Sequence, residues 1–292
     1  MRFRSNFVLI VSIFILNCCS FAQISNKTEK SFDKKTDVGG YSLHINCSKF
    51  IKKSPTVVLE AGLSQGAETW DKVRAEIAKF ARVCTYDRAG SGTSDVSPQP
   101  LKTSQQIVND LHNLLDRAGV TAPFVLVGHS FGGLTVRLFA AKYPSEVTGM
   151  VLIDAVHEDE AQKWLEMMPI EIRQKLESLG GTQTMGVEKV SLQEITSRMR
   201  SANRRSDIPL IVLARGKASY NAEDYPPVLR FLAPQGEELR IRMQKDLAAK
   251  STKGKIIFAE KSGHFIQQDE PELVIESIRQ VVEATKSKGK KT

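Results

Sequence analysis

Short apolar runs alternate with amphipathic stretches along most of the chain. Residues 41–47 alternate in the manner of a half-buried strand, and 56–60, 82–87, 124–127, 149–154, 209–214 and 255–259 read as further strands. Between them, Trp70, Val73, Ile77 and Phe80 fall on one face of a helix. Ile107, Leu111, Leu114 and Leu115 mark another, with Thr103 or Ser104 as its N-cap. Val274, Ile278, Val281 and Val282 line a closing helix begun near Pro271. Strands that alternate with helices predict βαβ units and an α/β fold: a mostly parallel sheet covered on both faces. Residues 155–207 break the rhythm, with helical patches and no strand. They are expected to form a helical cap over the C-terminal ends of the strands, where open α/β sheets bind ligands. Gly180-Gly181 is the expected hinge of that cap. The core is therefore placed at 40–154 and 208–285, with polar residues 23–39 as a flexible lead-in and 286–292 as a basic tail.

One turn carries chemistry. Gly128-His129-Ser130-Phe131-Gly132 follows a strand-like run and precedes the helix-like stretch 134–141. Strand, sharp turn with Ser, then helix is the setting in which G-x-S-x-G presents a nucleophile. The turn strains the Ser backbone and lifts its hydroxyl clear of the sheet, and the glycines remove side chains that would clash there. A Ser hydroxyl is a weak nucleophile until a base takes its proton. Of the five His, only His264 follows the last strand. His44 and His112 read as structural or exposed, His129 is expected to turn its ring away from Ser130, and His157 is placed to line a pocket.

The first 22 residues read as a secretory signal: Arg2 and Arg4, then apolar 7–16, then Ser20-Phe21-Ala22 before a cleavage point at Gln23. The apolar run is too short to span a bilayer. Lipidation at Cys18 or Cys19 is the alternative, and membrane contact is expected only in that case; Leu16-Asn17 makes a poor lipobox. The full chain carries a net charge of +8. Much of the excess is the lysine-rich tail, without the aromatic interleaving of a nucleic-acid groove. No nucleic-acid partner is therefore expected. The chain shows no metal-ligand cluster and no phosphate-binding loop, so no metal and no cofactor is expected. Oligomeric state is left open.

With these landmarks the chain resembles the α/β-hydrolase superfamily over roughly 40–284. The resemblance rests on Leu59-Glu60-Ala61-Gly62-Leu63, Tyr86-Asp87-Arg88-Ala89-Gly90-Ser91-Gly92-Thr93-Ser94, the Ser130 turn and Gly263-His264-Phe265. It implies an eight-stranded, mostly parallel sheet, Ser130 as nucleophile and His264 as base. The superfamily's order is Ser, acid, His. Asp154, at the end of the strand after the Ser130 helix, is the first expectation for the acid, as in the haloalkane-dehalogenase-like branch. Asp224 or Glu223 is the alternative, because the commoner acid position after strand 209–214 reads Arg215-Gly216-Lys217. The backbone N–H groups of Leu63 and Phe131 are the implied oxyanion hole, with Glu60 or Gln65 adding polarity and Trp70 packing beneath. The usual strand order would set Cys47 beside Cys84, which makes a disulfide plausible in an exported protein. A Ser nucleophile fits acyl transfer, unlike the Asp of haloalkane dehalogenases and epoxide hydrolases. The implied function is an exported serine hydrolase acting on a small-molecule carboxylic ester through an acyl-enzyme. Amide, peptide or lactone hydrolysis, acyl transfer, or a silent ligand-binding role are the alternatives.

Overall fold

The computed structural model describes residues 30–99, 102–178, 192–202, 205–218, 230 and 232–286. Eight strands form one sheet in the order β1-β2-β4-β3-β5-β6-β7-β8. They are β1 (Phe32–Asp37), β2 (Ser42–Cys47), β3 (Thr56–Glu60), β4 (Arg82–Tyr86), β5 (Phe124–His129), β6 (Val147–Ile153), β7 (Ser206–Arg215) and β8 (Ser251–Ala259). β2 pairs antiparallel with both β1 and β4. The pairs from β4 through β3, β5, β6 and β7 to β8 are parallel.

Alternate residues of the central strands feed two cores. Val57, Leu59, Val125, Val127, Val151 and Ile153 face α1 (Asp71–Ile77) and the closing helix Pro271–Lys286. Val58, Leu126 and Leu152 face α2 (Ser104–Arg117) and α3 (Gly132–Lys142). This is the doubly covered sheet that continuous apolar strands predict. Thr103 caps α2 by accepting from the Gln106 N–H at 3.3 Å. Cys47 and Cys84 face each other across the β2–β4 pair and are joined by a disulfide.

Three expectations are corrected. Part of the flexible lead-in is β1, an edge strand. Its polar residues point outward, Thr36 turns inward, and Asp33 is bound by His44 and Asn46 of β2, so a polar run pairs without an apolar pattern. The region expected to be all cap is divided. α4 (Glu160–Met167) and α5 (Ile170–Ser178) leave the sheet, whereas α6 (Leu192–Ala202) buries Ile195 and Met199 in the core beside α3. β7 begins at Ser206, inside the stretch 155–207. The residues between β7 and β8 add α7 (Leu232–Ala249), which buries Leu232, Leu239, Met243 and Leu247. The Gly180-Gly181 hinge lies outside the described residues, as do the N-terminal segment with Cys18 and Cys19 and the tail from 287.

Candidate active site

Ser130 and Asp154 both occur where a parallel strand ends, and both have left-handed backbones, with φ of 53° and 38°. That conformation costs a non-glycine residue energy and persists only where its surroundings impose it. At Ser130 they do. Its N–H donates to the Ile153 carbonyl at 3.0 Å, and its carbonyl accepts from Gly133 and Val156, each at 3.0 Å. The glycines admit close backbones. A Cβ on Gly128 would stand 2.6 Å from the Gly132 carbonyl oxygen, and one on Gly132 would stand 2.5 Å from that of Glu60. Strand, turn and helix therefore meet at distances that any side chain would prevent.

Asp154 is buried, and its N–H extends the β6–β7 ladder to the Leu213 carbonyl. Its Oδ2 lies 2.7 Å from His264 Nδ1. An ionised carboxylate only accepts, so Nδ1 carries a proton, and in the neutral ring Nε2 is then the acceptor. Burial alone would raise the Asp154 pKa. The His264 hydrogen bond and the charge of Arg215 outweigh it and hold the carboxyl below the usual carboxylate range. Arg215, at the end of β7, and Arg240, on α7, both form ion pairs with Asp154, and Arg240 also pairs with Glu237. The His264 side chain is 32% exposed, so a substrate can reach it. Asp224 and Glu223 lie outside the described residues.

His129 ties three segments together. Its ring is fully buried and lies 4.7 Å, centroid to centroid, from that of His264. Nε2 donates to the His264 carbonyl at 2.9 Å, while Nδ1, then without a proton, packs against Gly62, with Gln65 Oε1 3.2 Å away. Burial pushes this imidazole down to about 3, and His264 adds to the shift. It stays neutral as a spacer between the turn, the His264 loop and the loop at Gly62.

That last loop is braced from beneath. Arg88 donates to the carbonyls of Ala61 and Gly62 and pairs with Glu60, which also accepts from the Tyr86 hydroxyl. Glu60 is thus consumed beneath the loop and adds no polarity to the cleft. Gln65 binds the Gly62 N–H at 3.2 Å. The N–H groups of Leu63 and Phe131 have no internal partner among the described residues. Phe131 sits at the N-terminus of α3, where the helix dipole favours negative charge. Trp70 is buried against Val73 and Ile77 as packing.

A family model described as the alpha/beta hydrolase fold matches residues 55–227. The chain belongs to this family. Among relatives of this α/β-hydrolase, YqjL of Bacillus subtilis, an uncharacterised protein, is 30% identical over 245 residues, covering 83% of this chain and 88% of the relative. An AB hydrolase superfamily protein of Gibberella zeae is 24% identical over 279 residues, covering 79% of this chain and 87% of that one. An esterase of Thermogutta terrifontis shares the fold with a TM-score of 0.60 at 19% identity, over 88% of this chain and 99% of its own.

Other expected positions fall elsewhere. His157 is buried; it bonds Asp246 at 2.9 Å and accepts from the Asp159 N–H. His157, Glu158 and Asp246 form the described grouping with metal-ligand spacing, and Arg137 and Lys250 already pair with its carboxylates. His44 binds Asp33, and His112 stacks on Tyr143. Arg215, Arg240 and the bracing role of His129 were not read from the sequence. The available signal for Arg240 was the spacing of Leu232, Leu239, Met243 and Leu247, which marks α7 as a packed helix carrying an arginine on its buried side.

Proposed function

We propose that this α/β-hydrolase is a serine hydrolase cleaving a carboxylic-ester-like bond through an acyl-enzyme. The observation that carries the reading is the 2.7 Å Asp154–His264 bond beside a serine in a left-handed strand-to-helix turn. In this reading His264 Nε2 takes the Ser130 proton as Oγ attacks the ester carbonyl. The negative charge that develops on the carbonyl oxygen is met by the N–H groups of Leu63 and Phe131. The tetrahedral intermediate collapses, His264 gives its proton to the departing alcohol, and the acyl group stays on Ser130. Water, deprotonated by His264, then attacks the acyl-enzyme and releases the carboxylic acid, regenerating the serine hydroxyl. Asp154 fixes the His264 tautomer and stabilises the imidazolium without taking the proton.

The test is hydrolysis of p-nitrophenyl esters from acetate to palmitate by wild type and Ser130→Ala. Turnover that vanishes in the variant is expected, and the chain-length optimum sizes the acyl site. Equal turnover in both proteins, or none in either, rejects the esterase reading. We also propose that the chain is exported after cleavage before Gln23; the Cys47–Cys84 disulfide supports an oxidising destination. Mass analysis of the exported protein checks this: a mature N-terminus at Gln23 is expected, and a lipid-sized increment on Cys18 or Cys19 would replace it with the anchored alternative.

A further inference from the structure

A second cavity, of about 790 Å³, lies at the opposite end of the sheet from Ser130. It is lined by Val147 at the start of β6, Leu210 near the start of β7, Thr252 at the start of β8, and the facing sides of α3, α6 and α7. Ser130, Asp154 and His264 are not among the residues that line it. Its volume falls within the range of sites for small organic ligands, roughly 300–1,000 Å³.

The chemistry of its wall is one-sided. Met150, Leu152, Met199, Leu210 and Leu247 supply an apolar floor. Arg137, Arg205 and Lys250 face Asp207 as the charged residues of the lining. Arg137 is buried, and its guanidinium donates to the Gly133 carbonyl, the Val156 carbonyl and Glu158. A guanidinium has five N–H groups, so two remain. Lys250 spends two of its three on Glu158 and Asp246. Arg205 has no partner among the described residues. Arg137, Lys250 and Arg205 therefore still have N–H donors to offer above an apolar floor. A neutral apolar ligand would leave those donors unpaired.

We infer that this cavity binds an apolar-tailed carboxylate, with its tail on the methionine and leucine floor and its head on Arg137, Lys250 and Arg205. The inference is independent of the proposed hydrolysis. Titration calorimetry with octanoate as the probe tests it, beside octanol as the uncharged control. Ala202→Trp fills the cavity from α6, and Arg205→Glu reverses an exposed charge. Both positions lie outside the proposed catalytic machinery, and unchanged circular dichroism of each variant verifies its folding. One equivalent of octanoate should bind wild type, and each variant and the octanol control should show affinity lower by about ten-fold or more. Absence of octanoate binding, or binding of equal strength in both variants, overturns the inference, the second result placing octanoate elsewhere on the protein. Octanol binding as tight as octanoate overturns the assignment of the head group.

Discussion

The Ser130 turn and the Asp154 corner are neighbours with the same unusual backbone conformation, yet they are held by different forces. The turn is fixed sterically: Gly128 and Gly132 let strand, turn and helix approach until only hydrogen fits, and backbone hydrogen bonds do the rest. The corner is fixed electrostatically: His264, Arg215 and Arg240 converge on one buried carboxylate from three distant segments. The difference teaches where each part is vulnerable. Added volume breaks the turn, whereas removal of charge breaks the corner.

The largest expected effect is at the corner. Asp154→Asn should lower ester turnover about 10⁴-fold, because the amide no longer enforces the His264 tautomer. Steady-state kinetics on the folded variant checks this, and a loss below about a hundred-fold would hand the role to Asp224 or Glu223. At the turn, Gly128→Ala should cost about 3 kcal/mol in urea unfolding, since its methyl meets backbone that no rotamer change can move. Arg240→Met should cost about 2 kcal/mol, because Asp154 keeps Arg215 while Glu237 loses its main partner. If Gly128→Ala proved harmless and Arg240→Met unfolded the protein, the contrast between the two regions would be reversed.

An effect as small as that of Arg240→Met concerns His129, which joins the turn to the His264 loop. Its folded pKa, about 3, lies below the ordinary imidazole value of 6.5. The unfolded chain therefore takes up this proton first. Stability from this group is complete above about pH 6.5, falls as the pH drops below it, and levels off near 3. Between about pH 7 and 5 the wild type should lose about 2 kcal/mol more than His129→Gln, which has no proton to gain. Urea midpoints at the two pH values check it; parallel losses would show that the buried ring is not the source.

The same contrast explains what could be read in advance. The turn is local: its glycines, its serine, the strand before it and the helix after it are contiguous, so sequence spacing carries the geometry. Asp154 was legible as a strand-ending carboxylate, since β6 is apolar and continuous. Arg215 and Arg240 were not, because their meeting depends on how α7 docks on β7 and β8, which no local pattern encodes. β1 escaped for another reason. An edge strand needs only backbone pairing and a few inward contacts, and its polar composition matches that of a loop. α6 was legible as a helix but not as core, because its amphipathic face does not say which surface receives it.

The disulfide has a mechanical consequence. Cys47 and Cys84 are 37 residues apart, and the covalent ring they close contains β3 and the Gly62–Leu63 loop. A pull applied at the N-terminal end would peel β1 and then β2 from the sheet, and the load would pass across the sulfur bridge directly to β4. The ring would carry no tension. The loop that supplies the Leu63 N–H is thus shielded from force on the leading end of the chain, and reduction of the bridge would put that loop in line with the pull.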